Sequence, residues 1–378
     1  MDFSLTPVQQ MVRDTARAFA TEQIQPQART NDIQGKFPSD LIREMASLGL
    51  MGINVPAAYG GSEAGSVAYA LAMQEVAAAC ASTSVTMGVT NMCAELISQF
   101  GTEAQKLHHV RALVSGDALC GAFALSEPHC GSDPGAIRTT ATRSGEFWEL
   151  NGAKQWISSG AYAGVLVVWA RTGGEGNRGL SAFILEAGTP GLQIGRAEDK
   201  LGLRSSNTVQ LTLEACKVPV ENLLSGEGDG FKLAMVALDG GRVGIASQAC
   251  GVGRAALEAS IRYSKDRVAF GQPIKVFQGI QFFLAQMKTE LAAAELLTLR
   301  AAALKEEGKP FTQAASMAKL FASEASNRAC DKAVQIHGGY GYINEFPVER
   351  YMRDARVQTI YEGTSEIQRW VIARGLMG

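Results

Sequence analysis

Apolar positions recurring every three to four residues dominate the first third of the chain, and each run is bounded by helix punctuation. The first run begins at Thr6-Pro7-Val8-Gln9, a capping box with proline at the first helical position, and its pattern carries to about Arg29. Further helices are predicted over about 38–49, 67–81 and 84–100, the last stopped by Gly101, and a fifth starts at Thr102, where Gln105 completes a second capping box. Between about 119 and 220 the period changes to short strand-like runs at 147–151, 165–171, 180–185, 192–195 and 208–213, separated by Gly, Pro and Asn. The Gly-rich stretch 173–179 lies between two of these runs and reads as a hairpin loop rather than a phosphate loop. After Gly230 long helices return. Ile280, Leu284, Met287, Leu291, Ala294, Leu297, Ala301 and Leu304 form a stripe suited to a helix bundle, and further helices are predicted at 312–336, 348–354 and 365–376.

The pattern therefore predicts an α+β chain: an N-terminal helical domain (1–118), a middle β domain (119–225) and a C-terminal helical bundle (226–378). A length of 378 residues accommodates these three units. Charged residues are only 19 % of the chain, which is consistent with surface buried in an oligomer. With 35 Lys+Arg against 37 Asp+Glu and no basic run, nucleic acid is not an expected partner. The seven cysteines, Cys80, Cys93, Cys120, Cys130, Cys216, Cys250 and Cys330, have no Cys-x-x-Cys spacing and read as reduced core thiols. Arg13, Asp14, Arg17 and Glu22 interrupt any signal-peptide core, and no apolar run approaches the ~20 residues that span a bilayer, so a cytoplasmic location is expected.

Candidate chemistry is sparse from local pattern alone. Gly251-Val252-Gly253-Arg254-Ala255-Ala256 matches a dinucleotide fingerprint, but no strand leads into it, and the glycines read instead as sites of close helix packing. His108, His109, His129 and His337 show no metal-ligand spacing, and no Gly-x-Ser-x-Gly elbow exists. More informative is Tyr361-Glu362-Gly363-Thr364-Ser365-Glu366, a carboxylate and a glycine before a capped helix start, where free N–H groups could receive a phosphate at Thr364 to Glu366.

Six segments, taken in order, resemble acyl-CoA dehydrogenases over essentially the whole chain. They are Leu125-Ser126-Glu127-Pro128 with Gly131-Ser132-Asp133, Asn151-Gly152 with Lys154 and Trp156-Ile157-Ser158, Asp266-Arg267 with Phe270-Gly271, Gln335 through Gly341, Arg353 through Arg356, and Tyr361 through Gln368. The resemblance implies a middle domain of β-barrel or β-sandwich type and a C-terminal four-helix bundle. It also implies an FAD enzyme that removes the α-hydrogen of an acyl-CoA as a proton and passes the β-hydrogen as hydride to flavin N5. The product is a trans-2-enoyl-CoA, and the electrons go on to electron-transferring flavoprotein.

By the same resemblance Glu362 is the catalytic base. Some members place the base on the first long C-terminal helix, at a position that here is Gly241, which cannot take a proton. Phe123, Leu125, Ser126, Trp156, Ile157, Ser158, Thr364 and Glu366 match flavin-lining positions. Arg267, Phe270 and Gln278 match holders of the pyrophosphate and adenine from one subunit, with Gln335, Gly338 and Gly339 supplied by its neighbour in a homotetramer. Ser132, Asp239, Arg242 and Gly363 match substrate contacts. Residues 84–94 resemble both short straight-chain and isobutyryl-CoA members, 173–179 and 337–342 resemble the branched-chain enzymes and 361–369 the butyryl-CoA type, so a short acyl chain, straight or 2-methyl branched, is expected. An acyl-CoA oxidase or a non-catalytic relative on the same scaffold stays open at this point.

Overall fold

The computed structural model describes residues 4–377. The N-terminal third contains α1 (Pro7–Phe19), α2 (Gln25–Gln34), α3 (Ser39–Ser47), α4 (Ser66–Ala79), α5 (Ala81–Phe100), α6 (Glu103–Gln105) and α7 (Arg111–Ser115). Both capping boxes form, at Thr6/Gln9 and at Thr102/Gln105. The first helix runs further than its pattern predicts. A π-helical turn at Ala20–Ile24 widens the ladder just ahead of Pro26, which lacks an N–H, and the helix then continues to Gln34, where Gly35 at φ +61° ends it.

The middle segment is one mixed sheet in the order β6-β7-β3-β2-β4-β5-β8, with β1 parallel to β4 at its side. Its strands are β1 (Gly121–Ala124), β2 (Thr140–Ser144), β3 (Phe147–Ser158), β4 (Val165–Arg171), β5 (Leu180–Glu186), β6 (Leu192–Ala197), β7 (Thr208–Pro219) and β8 (Leu223–Leu224). Strand β4 has the predicted bounds, because six of its seven residues are buried and read as an uninterrupted apolar run. Strands β3 and β7 are twice as long as their apolar runs. They pair with each other antiparallel across two register shifts, and the ladder carries the polar residues between.

The C-terminal segment is built from α8 (Gly230–Asp266), α9 (Gln278–Glu306), α10 (Thr312–His337), α11 (Val348–Arg356) and α12 (Ser365–Met377). Helix α8 lies at the centre, in contact with α4, α5, α9 and α10. The glycines of 251–256 do pack helices closely: a Cβ on Gly251 would stand 2.2 Å from Gln74 O, and one on Gly253 2.4 Å from a Leu291 methyl. Arg254 pairs with both carboxylate oxygens of Glu75 on α4, so the N-terminal helices are tied into the C-terminal bundle. All seven cysteines are free and buried. No helix among the described residues is long and apolar enough to cross a membrane.

Candidate functional site

Helix α5 stands between the sheet and the turn that carries Glu362. On one side Thr90 accepts from Gly121 N at the start of β1, and Ser159 donates to Thr86 just beyond β3. On the other, Ser84 accepts from Gln248 of α8, whose amide oxygen accepts from Tyr361, the neighbour of Glu362. Residues from three distant stretches therefore meet around one helix.

On the sheet side, β3 carries a register shift between Lys154 and Ile157 that leaves Trp156 at φ +62° and 64 % exposed. A bulge that forces a tryptophan into the left-handed region re-aims its ring away from the core, and such strain collects at functional positions. Beneath it Lys154, fully buried, donates to Glu127 Oε1 at 2.7 Å and Leu125 O at 3.3 Å, while Gln155 N donates to Ser126 O at 2.9 Å. Glu127 also accepts from Arg138 N and Thr139 N. Burial pushes the Lys154 ammonium down to about 8. For Glu127 burial acts upward, but the ammonium and these donors outweigh it and hold the carboxyl below its ordinary range.

This pair fixes Leu125 and Ser126 against Trp156, Ile157 and Ser158, so five of the expected flavin-lining residues share one edge. Phe123, on β1, packs instead on Trp169, and Ser132 is exposed on the following loop. Lys154→Met should lower stability by about 3–5 kcal/mol, the cost of stranding a buried charge, seen as a drop of several degrees in the unfolding midpoint. An unchanged midpoint would show that the pair does not brace this edge.

On the helical side, Glu362 sits at φ +54° and Gly363 at φ +86°, a tight left-handed turn just before α12. Oxygen Oε2 of Glu362 is buried with no hydrogen-bond partner. A Cβ built on Gly241 would lie 2.7 Å from that oxygen and 3.3 Å from Met92 Sδ, so the two positions at which a base could be placed converge on one spot. Burial raises the Glu362 carboxyl above the ordinary range, opposed by the positive charges of Lys319 and Arg242. Lys319 is fully buried on α10 and donates to Gly363 O at 2.7 Å, and Gln368 donates to the same carbonyl at 2.9 Å. Arg242 pairs with Asp239, which also accepts from Thr312, and Arg242 Nε is buried without a partner.

The start of α12 is already partly satisfied. Thr364 Oγ1 accepts from Ile367 N, and the Glu366 carboxylate is held low by its own backbone N–H and by Thr364. A phosphate there would face a like charge, so these residues offer side-chain contacts more readily than an open anion seat.

A third group gathers at the far end of α8 and α10. Arg267 lies over the Tyr340 ring at 5.6 Å, Tyr263 stacks on His337, and all four line a cleft with Gly338 and Gly339. This corrects the expected division between subunits: Arg267 and the glycine pair face one cleft of a single chain, because the C-terminal ends of α8 and α10 lie side by side. Gln335 is exposed one turn before the glycines. Phe270 is 93 % exposed at φ +51° beside Phe277, and Gln278 opens α9.

Among the described residues the fold also assembles two donor clusters: exposed His108 and Glu186 with buried His109, and Glu127, His129 and Cys130. In the second, Glu127 is already taken by Lys154 and two backbone N–H groups. Pattern reading missed Lys319 and Gln248. The signal for Lys319 was present, since Ala315, Lys319, Ala322, Ser326 and Ala329 follow one helical stripe and place a lysine on the buried face.

Three family models match in order: the N-terminal domain of acyl-CoA dehydrogenase over residues 6–117, the middle domain over 122–216 and the C-terminal domain over 228–377. The mouse mitochondrial short-chain specific acyl-CoA dehydrogenase is 48 % identical over 375 residues, covering 99 % of this chain and 91 % of that one. Among solved structures, butyryl-CoA dehydrogenase from Megasphaera elsdenii superposes with a TM-score of 0.98 at 45 % identity, with each chain covered in full. A chain from a structure on the electron transferring flavoprotein of Acidaminococcus fermentans and flavin-based electron bifurcation superposes equally well, at 44 % identity and again over the full length of both chains.

Proposed function

Because the chain belongs to the acyl-CoA dehydrogenase family, whose members depend on FAD, we propose that it oxidises a short-chain acyl-CoA to the trans-2-enoyl-CoA, with Glu362 taking the α-proton. The observation that carries this reading is the Glu362 carboxylate itself: buried, unpartnered at Oε2, and held on a strained turn. A base must be dry enough for its pKa to approach the operating pH and free of donors that would hold its lone pairs, and Glu362 meets both conditions. FAD, when bound, supplies the hydride acceptor for the β-hydrogen. Trp156 offers it a flat apolar face and Ser158 a hydroxyl donor, with Leu125 and Ser126 lining the same edge. By the family resemblance, Asp239, Arg242 and Ser132 would contact the CoA part of the substrate, and Gly363 would be a further substrate contact.

The Arg267 cleft fits a pyrophosphate, since a guanidinium fork and two glycines let phosphate oxygens and backbone approach closely. Gly241 and Tyr263 are 22 residues apart on α8, and Lys319 and His337 are 18 apart on α10, so the cleft lies about 27–33 Å along the bundle from Glu362. That exceeds the reach of the ribityl chain joining a flavin ring to its pyrophosphate. The cleft of one chain therefore serves the flavin bound at Glu362 of a neighbouring subunit, and a shared site of this kind requires a dimer or a tetramer. A short acyl chain is supported by the names of the relatives. The electron-transferring flavoprotein is the proposed acceptor of the electrons.

Mixing the FAD-loaded protein anaerobically with butyryl-, isobutyryl- and octanoyl-CoA tests the reading. Flavin absorbance should bleach fastest with butyryl-CoA, and light scattering of the same sample should give an assembly larger than a monomer. Bleaching by none of the three would overturn dehydrogenation, and octanoyl-CoA as the fastest would overturn the short chain.

A further inference from the structure

Lys319 has an unusual position for a lysine. It occupies the inward stripe of α10 among Ala315, Ala318 and Ala322, is fully buried, and has no carboxylate within ion-pair distance among the described residues. Its hydrogen bond goes to Gly363 O at 2.7 Å, the carbonyl immediately following the proposed base. A buried ammonium is costly to keep charged unless something nearby is negative, and the stronger of the two negative groups in its field is Glu362, with the exposed Glu366 contributing less.

Resting on the reading of Glu362 as the base, we propose that Lys319 is a positioning residue for proton abstraction: it holds the Glu362-Gly363 turn by its carbonyl and supplies the positive charge against which Glu362 carries its negative one. The two duties are physically linked. Residues 362 and 363 both adopt left-handed φ, a conformation a glutamate reaches only at some cost, and the turn is clasped at one oxygen by Lys319 and Gln368 together. Burial alone would drive Glu362 to its neutral form, which cannot accept a proton.

The other groups around Glu362 cannot take over this role. Arg242 on α8 also acts on Glu362, but more weakly than Lys319, and its guanidinium is already paired with Asp239. On α5, Glu95 is engaged by Lys305, and Cys93 is a buried thiol pushed up by its surroundings. Tyr69 on α4 and the adjacent Tyr361 are buried phenols raised by burial, so both stay neutral. Glu366 on α12 is exposed and adds negative charge only.

The test uses the FAD-loaded enzyme and the variants Lys319→Met, Lys319→Gln and Lys319→Arg, with the rate of flavin reduction by butyryl-CoA followed across pH. In the two neutral variants the acid limb should move up by about one pH unit or more, and the rate below the limb should fall about tenfold per unit while the plateau above it drops far less. Lys319→Arg should keep the limb near its wild-type position. A readout independent of turnover is the infrared band of the protonated Glu362 carboxyl, identified by its loss in Glu362→Gln. That band should persist to higher pH in Lys319→Met.

A rate lowered evenly at all pH with an unmoved limb and an unmoved band would overturn the proposal. So would loss of flavin from both neutral variants with retention in Lys319→Arg, because Lys319 would then serve the fold alone. Failure of the base assignment is read separately, as a Glu362→Gln variant that still reduces its flavin at the wild-type rate.

Discussion

Glu362→Gln should bind FAD and butyryl-CoA and yet reduce its flavin at least about 10²- to 10⁴-fold more slowly than the parent, a loss of about 3 to 5 kcal/mol in transition-state stabilisation. The amide is nearly isosteric with the carboxylate and leaves the Lys319 and Gln368 clasp on Gly363 intact, so the loss isolates the missing acceptor for the α-proton. Among the described residues near Glu362, no second carboxylate is free to substitute. Asp239 is held by Arg242 and Thr312, and Glu366 is exposed at the start of α12.

The parent enzyme's pH profile follows from the same residue. As the proposed base, Glu362 would act only when ionised, and burial raises its carboxyl above the ordinary range, so activity should fall as pH drops through that raised value and recover above it. Stopped-flow flavin reduction checks both statements. A Glu362→Gln rate within tenfold of the parent would move the proton acceptor elsewhere.

Much of this site was legible because function and local pattern coincide there. Glu362 precedes a glycine and a capped helix, and the turn that results buries its Oε2. Trp156 was legible by resemblance, but its exposure was not, because a bulge depends on how β3 and β7 pair and not on the residues of β3 alone. Strand β1 and the outer halves of β3 and β7 escaped pattern reading for the same reason: they carry small or polar residues, and partner strands make them strand.

The pairings that brace the site were hidden more deeply. Lys154 with Glu127, and Gln248 with Tyr361 and Ser84, join residues separated by 27, 113 and 164 positions, and nothing in a local window reveals such a bond. The Arg267 cleft shows the converse case. Its residues were recognised singly, and only the side-by-side ends of α8 and α10 show that one chain holds them together.

Gly241 offers the second large effect. Its place opposite Glu362 is an ordinary helical one, so the absence of a side chain there answers to space and not to backbone conformation. Gly241→Val would drive its Cβ to within 2.7 Å of Glu362 Oε2 and 3.3 Å of Met92 Sδ, and the carboxylate is the more easily displaced of the two. A misplacement of about 1 Å costs about 10²-fold in rate, so flavin reduction should fall by about that factor while FAD binding and the unfolding midpoint stay near the parent's.

The same proximity makes the base transferable. In Glu362→Gly combined with Gly241→Asp or Gly241→Glu, glycine relaxes into the left-handed turn that now strains a glutamate, and α8 loses a glycine from its interior. An aspartate oxygen lies two bonds, about 2.4 Å, from its own Cβ, close to the 2.7 Å that separates the Gly241 Cβ position from Glu362 Oε2. One of the two double variants should therefore reduce flavin about tenfold or more faster than Glu362→Gly alone. If neither exceeds the single variant, the two positions do not deliver a carboxylate to the same point, and the convergence of Gly241 on Glu362 is a packing contact without chemical meaning.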